Sequence, residues 1–266
     1  MWLRSLLSTQ VWGPGSALIL VFLLRLSMRR WCKSHLWDLQ HCSTDLTGKT
    51  AVVTGANSGI GKVVSQELAR RGARVILACR SRERGQRALA EIQAASKDAC
   101  LLLGEVDLSS MASVWSFAWW LLQECPEIHL LVNNAAVCGI PKTLTPEGLE
   151  LTFATNYVGP FLLTNLLQGV TVNSVDPGVV YTDIMKQFSW SYRLLFWLSS
   201  FFIKDPQQGA NPVLYLSLAK ELDGISGKYF NSSCVMTLPS KDAQDLHVAQ
   251  RLWNASVKLT NLDKMN

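Results

Sequence analysis

Residues 50–79 read TAVVTGANSGIGKVVSQELARRGARVILAC and contain the pattern that decides the fold. The β-branched run Thr50–Gly55 predicts a strand, and the apolar spacing of Lys62–Arg71 after the glycine-rich turn predicts a helix. Gly72 ends that helix, and Ala73–Cys79 predicts a second strand. This order of strand, turn, helix and strand predicts a βαβ unit with two parallel strands.

The glycines of the turn suit a dinucleotide bound at the start of the helix. Gly55 permits a sharp exit from the strand, Gly59 lets the backbone approach a pyrophosphate, and Gly61 allows close packing of the helix. The helix N-terminus then presents its N–H groups to the anion. A glycine pattern alone is weak evidence, but its position between a strand and a helix supports a nucleotide site.

The alternation continues and predicts an α/β domain with a doubly wound parallel sheet of the Rossmann type. Further elements are predicted as a helix over Ser81–Ala95, a strand over Cys100–Val106, a helix over Ser110–Gln123 and a strand over His129–Asn133. A chain of 266 residues that is 48% hydrophobic suits one domain with a buried core. We divide it into an anchor over residues 1–30, a linker over 31–47 and one domain over 48–266.

The N-terminal segment predicts a membrane-anchor helix. The run Val11–Leu24 is apolar and uncharged. A basic cluster follows it: Arg25, Arg29, Arg30 and Lys33. Basic residues after the apolar run favour an uncleaved anchor with a cytosolic domain over a cleaved signal peptide. The Gly-Pro-Gly sequence inside the apolar run disfavours the alternative that this run is a buried helix of the domain. The basic cluster after the run indicates anionic lipid rather than nucleic acid as a partner.

Cysteine and histidine usage predicts neither a disulfide framework nor a metal site. The seven cysteines are scattered and never form a C-x-x-C pair, and the four histidines are isolated. Such spacing is typical of reduced thiols and lacks the pattern of metal ligands.

Several motifs, in the right order, resemble the short-chain dehydrogenase/reductase family over residues 48–260. They are TGANSGIG at 54–61, Asp107-Leu108, NNAA at 133–136, Asn156, and Asp176-Pro177-Gly178 with Thr182. The runs ACRSRERG, NYVGPFLLTNLL and SGKYF are most similar to the membrane-anchored retinol dehydrogenase branch. The resemblance implies interconversion of retinoid or lipid alcohols and carbonyls with NADP(H), at the endoplasmic reticulum with the domain facing the cytosol.

The resemblance also implies a set of site residues. Asn156 is a remnant of the catalytic group. The implied cofactor-binding residues are Gly55, Asn57, Ser58, Gly59, Ile60, Gly61, Arg80, Asp107, Asn133, Ala135, Pro177, Gly178 and Thr182.

The residue after the second predicted strand favours NADP(H) over NAD(H). NAD-specific folds carry an acidic residue there to accept the ribose 2′-OH, whereas this chain has Arg80, with Arg82 close by. A guanidinium pairs with a 2′-phosphate and gains nothing from a hydroxyl. The alternative is that both arginines only solvate the start of the next helix.

The family's Tyr-x-x-x-Lys pair is missing. The resemblance implies a catalytic Ser, a Tyr and a Lys four residues further on, a spacing that puts Tyr and Lys on one helix face. None of the five tyrosines has a lysine four residues later.

The predicted strand Val170–Val175 (VTVNSV) starts directly after a helix that ends near Gln168, where the family has a strand and a long helix. A crossover of roughly 30 residues has no room there, so we expect one interior strand-helix unit to be missing, with impaired catalysis and a disrupted dimer interface.

Several alternatives stay open. Either VTVNSV pairs with His129–Asn133, or a slot opens there and exposes apolar surface. Tyr181 and Lys186 are the conceivable replacement pair. For the aromatic run Trp190–Lys204 three roles are open: it shapes the mouth of a lipid-substrate site, it dips into the membrane, or it packs on the domain. Trp115, Trp119 and Trp120 of the earlier helix are predicted to pack within the domain and to have no cofactor role.

Three functions are compatible with these patterns. The first is an NADP(H)-binding retinol dehydrogenase relative that has lost catalysis. The second is an active reductase that uses substitute residues, and the third is a non-enzymatic partner of a full-length sibling.

Overall fold

The structure is a computed structural model that describes residues 37–167, 171–199 and 203–264. The chain divides into two compact units, Met1–Trp37 and Asp38–Asn266, and the fold described below lies in the second. The predicted anchor over residues 1–30 lies outside the described residues. Within the described ranges, no helix is both long enough and apolar enough to cross a membrane.

A four-stranded parallel sheet forms the centre of the domain, in the order β3-β2-β1-β4. Its strands are β1 (Thr50–Thr54), β2 (Arg74–Cys79), β3 (Cys100–Glu105) and β4 (Leu130–Val132). Val52 of β1 lies opposite Ile76 of β2 on one side and Leu131 of β4 on the other. All four strands lie within a residue or two of their predicted positions, because each is a short apolar run bounded by a turn.

Helices connect the strands and cover the sheet. They are α1 (Gly59–Arg70), α2 (Arg82–Ala95), α3 (Met111–Glu124), α4 (Leu151–Phe153), α5 (Gly159–Leu166), α6 (Trp190–Ser199), α7 (Pro206–Leu218) and α8 (Leu246–Thr260). A π-helical turn, Ala154–Val158, joins α4 to α5. Short 3-10 helices lie at Leu39–His41, Asp183–Gln187, Lys220–Leu222, Lys241–Gln244 and Leu262–Lys264.

The core lies on both faces of the four-stranded sheet. Ile76 and Ala78 belong to the cluster that packs under α3 and α5. Leu77, which alternation turns to the opposite face, is equally buried, as are Val64 and Leu68 of α1. This arrangement confirms an α/β domain of Rossmann type with a parallel sheet.

A second, three-stranded sheet contains the segment that follows the predicted junction. Its strands are β5 (Ser174–Val175), β6 (Tyr229–Phe230) and β7 (Met236–Thr237), with β5 parallel and β7 antiparallel to β6. The junction at residues 168–170 lies outside the described residues.

Pairing of VTVNSV with the strand at His129–Asn133, one of the two predicted outcomes, is wrong for the residues that the structure describes. The segment is instead attached to residues 225–230. Asn173 donates through Nδ2 to the Ile225 carbonyl (2.7 Å) and accepts at Oδ1 from the Lys228 N–H (3.0 Å). The Gly227 N–H donates to the Val172 carbonyl (2.7 Å). These bonds hold one edge of the segment against residues 225–230, and in the described residues no ladder hydrogen bond joins its other edge to β4.

The prediction that three tryptophans of α3 pack is wrong for one of them. Trp115 and Trp120 pack against the core, and Trp120 lies over Gly104 of β3. Trp119 is 68% exposed. Trp119 lies on the same side of α3 as the exposed Ala112 and Ser116, at helical spacing, and this side faces away from the core.

Candidate functional site

A cavity of about 1220 Å³ lies between the two sheets; it reaches the carboxyl ends of β1, β2 and β3 and extends along β4 to Glu127. Ligands of open α/β sheets bind at this edge. Twelve of the thirteen residues predicted to bind cofactor line it: Gly55, Asn57, Ser58, Gly59, Ile60, Arg80, Asp107, Asn133, Ala135, Pro177, Gly178 and Thr182. The exception is Gly61, which packs behind the turn.

The glycine-rich turn has the backbone conformation that glycine permits. Gly55 and Gly59 have φ of +66° and +55°, in the left-handed region. At Gly61 a β-carbon would lie 2.6 Å from the Gly55 carbonyl oxygen, so only glycine allows α1 to start this close to β1. Ser58, which precedes α1, makes no side-chain cap hydrogen bond. The first N–H groups of α1 are therefore suited to a ligand anion at the cavity wall.

Thr54 and Asn134 join this turn to the segment after β4, and the sequence reasoning did not single them out. The buried Thr54 hydroxyl accepts hydrogen bonds from the N–H groups of Asn134 and Ala135, both at 3.0 Å. The Asn134 amide donates to the Thr54 carbonyl (2.9 Å). The sequence feature that could have identified Thr54 is its position at the end of a buried strand, directly before the glycine turn.

Asp107 is held in place at the end of β3. Its Oδ1 accepts from the Ser109 N–H (2.9 Å) and the Ser109 hydroxyl (2.7 Å), and its own N–H donates to the Ser113 hydroxyl (2.9 Å). The carboxylate is therefore oriented by its own loop at the cavity wall.

Arg80 and Arg84, rather than Arg80 and Arg82, line the cavity. Arg80 follows β2 and is exposed. Arg82 is the first residue of α2, and its side chain is not among the lining residues. Arg84 is two residues further along the helix and points in another direction, because each helical residue rotates the side chain by about 100°.

Asn156 does not line the cavity but holds the loop after the NNAA motif. Its Oδ1 accepts from the Val137 N–H and its Nδ2 donates to the Val137 carbonyl, both at 2.8 Å. Asn133 is held in turn by donating to the Thr164 hydroxyl (2.9 Å). The position of Asn156 is thus that of a residue that orients the cavity wall.

The Asp-Pro-Gly motif forms the opposite wall. Asp176 Oδ1 accepts from the Gly178 N–H (2.7 Å), and Gly178 has φ of +77°. Lys204 donates to the Pro177 carbonyl (3.3 Å). The Thr182 methyl faces Gly59, where a β-carbon would lie 3.2 Å from it, so the two walls approach closely at this point.

No tyrosine and no lysine of the described residues lines the cavity. Its ionisable residues are Arg80, Arg84, Asp107, Glu127, His129 and Asp183. Glu127 and His129 precede β4 and so lie at the far end of the strand, and the Thr50 N–H donates to His129 Nδ1 (3.1 Å).

The conceivable Tyr181–Lys186 pair is not assembled in the cavity. Tyr181 is 41% exposed and does not line it. Lys186 pairs with Asp183 Oδ1 (2.8 Å) and is mostly exposed.

The aromatic segment beside the cavity is partly exposed and partly packed. Phe188 packs on Tyr192 and Phe196, with ring centroids 6.2 and 5.9 Å away, whereas Trp190 is 77% exposed. The part of the predicted run at residues 200–202 lies outside the described residues.

Comparison with known proteins identifies the family. A family model described as short chain dehydrogenase matches residues 49–168. Retinol dehydrogenase 11 of Homo sapiens is 33% identical over 311 residues, covering 94% of this chain and 97% of the human protein. The chain belongs to the short-chain dehydrogenase/reductase family. Retinol dehydrogenase 12 of Bos taurus is 35% identical over 285 residues, covering 83% of this chain and 90% of the bovine protein.

Solved structures share the fold of this chain. An uncharacterised protein from Mycobacterium paratuberculosis superposes with a TM-score of 0.63 at 25% identity, covering 85% of this chain and 97% of that protein. The predicted resemblance is confirmed, and the retinol dehydrogenases are among the relatives. Two solved structures of the same fold, a reductase from Brucella melitensis at 18% identity and a dehydrogenase from Beutenbergia cavernae at 20%, contain NADH and NADP respectively. The glycine turn and uncapped α1 N-terminus of this chain fit such a group.

Proposed function

We propose that this chain is a retinol dehydrogenase-like protein that binds NADP(H) but is impaired in catalysis. The observation that carries the proposal is the composition of the cavity: its described lining has twelve of the predicted cofactor residues and contains no Tyr and no Lys. When bound, the nicotinamide supplies a hydride to a carbonyl or accepts one from an alcohol. General acid catalysis contributes about 10²- to 10⁴-fold to such a proton transfer, and that contribution is missing here.

The preference for NADP(H) is supported by the charges on the adenosine side of the cavity. Arg80 and Arg84 both line it next to Asn57 of the glycine turn. No acidic residue occupies the end of β2, where a ribose 2′-OH would otherwise be accepted. Guanidinium groups pair with a phosphate in charge-assisted hydrogen bonds.

A missing interior strand-helix unit accounts for the absent Ser, Tyr and Lys. The family match ends at residue 168, next to the predicted junction. The alignment with human retinol dehydrogenase 11 spans 311 residues, whereas 94% of these 266 residues is about 250, so about 60 positions have no counterpart in this chain. β4 is only half-buried, in contrast to the fully buried β1, as expected of a strand that lacks an outer neighbour.

We further propose that the protein is anchored in a membrane and acts on a lipid-like substrate. Residues 1–30 anchor the protein in the endoplasmic reticulum with the domain in the cytosol, and the substrate class is retinoid or a similar lipid, by the names of the relatives. The loss of a covering helix disrupts the family's dimer interface. The sequons at Asn231 and Asn254 test the orientation, because a glycan on either in cells contradicts a cytosolic domain.

Purified full-length protein in detergent, titrated with NADPH and assayed for retinal reduction, tests the proposal. We expect saturable NADPH binding by fluorescence and retinal turnover at least about a hundredfold below that of a full-length retinol dehydrogenase. Comparable turnover would refute impaired catalysis and support the active-reductase alternative. In that case Tyr181→Phe combined with Lys186→Met shows whether this pair carries the activity. Absence of NADPH binding by a folded protein would refute the proposal altogether.

A further inference from the structure

Arg84 lines the cavity near the start of α2 and is oriented by the glycine turn. With the Asn57 amide oxygen turned toward it, Asn57 accepts from Arg84 Nε (3.1 Å) and Nη2 (3.2 Å). Asn57 itself belongs to the turn that enters α1. The guanidinium is therefore fixed relative to the turn at which a dinucleotide phosphate would bind.

The same guanidinium also reaches the opposite wall. Arg84 Nη2 lies 3.6 Å from Asp183 Oδ2, and both side chains line the cavity beside Arg80. The pair is about half exposed, at 54% and 42%, and is longer than a charge-assisted hydrogen bond of about 2.7–2.9 Å. Exposed pairs of this kind are weak.

Asp183 has a second, closer cation. Lys186 Nζ lies 2.8 Å from Asp183 Oδ1, on the same 3-10 helix. Movement of Arg84 away from Asp183 therefore leaves the carboxylate with a partner. Breaking the Arg84–Asp183 contact therefore costs little free energy, whereas the hydrogen bonds to Asn57 keep Arg84 at the cavity.

We propose that Arg84 is a specificity-determining residue for the 2′-phosphate of NADP(H), and that Asp183 competes with this phosphate for the Arg84 guanidinium. The inference rests on the proposed function. A phosphate monoester carries about −1.5 to −2 charges near neutral pH and three acceptor oxygens, so it displaces a carboxylate held at long range. The uncharged 2′-OH of NAD(H) cannot. Arg84 and Asp183 together therefore set the ratio of the two affinities.

Equilibrium dissociation constants for NADPH and NADH, measured with the full-length protein at fixed salt, test this competition. Arg84→Gln is expected to weaken NADPH binding about tenfold or more and to change NADH binding less than about twofold, since a hydrogen bond to a charged group is worth about that much. Arg84→Lys keeps the positive charge and is expected to retain part of the preference for NADPH over NADH that Arg84→Gln loses. Asp183→Asn is expected to raise the NADPH-to-NADH preference about threefold, a small gain because the competitor that is removed forms only a weak, half-exposed pair.

Arg82→Gln is the matched control. It removes one positive charge from the same helix end at a residue outside the cavity lining. The preference should therefore stay within about twofold of the parent.

The outcomes separate this inference from the function on which it rests. If the parent protein prefers NADPH and Arg84→Gln leaves that preference unchanged, Arg84 has no role and the inference is overturned while the Arg80 assignment stands. An Asp183→Asn variant with unchanged or reduced preference overturns the competition. If the parent binds NADPH no better than NADH, both the coenzyme proposal and this inference fail.

Discussion

The two sheets of the domain bury their strands to different degrees. β1 is completely buried and every residue of β2 after Arg74 is buried, whereas β5 and β7 are exposed or half-buried and Val172, just before β5, is 50% exposed. The four-stranded sheet has helices on both faces, and its strands are strongly apolar. The three-stranded sheet is held by short strands and by side-chain bonds such as those of Asn173. We infer that the stability of the domain is concentrated in the βαβ half.

The largest expected effect comes from the core of the four-stranded sheet. Ile76→Ala removes a fully buried side chain from the centre of β2 and should lower the free energy of unfolding by about 3 kcal/mol, since buried Ile-to-Ala changes leave a cavity. Urea denaturation followed by circular dichroism measures it. A loss below about 1 kcal/mol would contradict the idea that this half carries the stability.

A second contrast concerns two thiols, one in each half. Burial raises the pKa of the Cys79 thiol, at the end of β2, from 9.0 to about 11, whereas Cys234 lies half-buried between β6 and β7. Only the thiolate is alkylated, so the shift lowers the reactive fraction of Cys79 about a hundredfold. Peptide mass spectrometry after iodoacetamide treatment at pH 8 should show Cys234 labelled before Cys79. Cys79 labelling should rise about tenfold per pH unit below its pKa, and equal rates for both thiols would rule out the burial argument.

Close packing at the glycine turn should give an intermediate effect. In Gly61→Ala the new β-carbon meets the Gly55 carbonyl at 2.6 Å, which we expect to cost about 2 kcal/mol and to weaken NADPH binding. Gly148→Ala is the control: its φ of +79° strains alanine, but nothing lies within 4 Å of the added carbon. The control should lose about 1 kcal/mol and keep its NADPH affinity. Thermal unfolding with and without NADPH distinguishes the two, and an affinity loss in the control would show that the effect is not local.

The smallest effect is expected beside β5. Val172→Ala should change the free energy of unfolding by no more than about 0.5 kcal/mol, because the side chain is half exposed. The same urea experiment measures it. A loss of unfolding free energy near that of Ile76→Ala would mean that the two halves contribute equally to stability.

Prediction from the sequence was most accurate where the relevant contacts are local. The strands around Val52 and Ile76 and the glycine turn were placed within a residue or two, because each depends on a short apolar run and a conformation that glycine permits. It was less accurate at VTVNSV, where the strand of the described residues is limited to Ser174–Val175 and pairs with β6, which is not one of the expected partners. It also named Arg82 beside Arg80 and did not single out Arg84, since the direction of a helical side chain relative to a cavity depends on how the helix packs.

The sequence by itself determined the βαβ unit, the set of residues suited to a nicotinamide cofactor and the absence of Tyr-x-x-x-Lys. Only the tertiary structure decided that β5 pairs with β6, that the cavity opens between the sheets, and that Arg84 is shared between Asn57 and Asp183. The physical reason is the range of the interactions. Turns and apolar periodicity are set by neighbouring residues, whereas strand partners and ion pairs depend on polar groups that the fold brings together from distant parts of the chain.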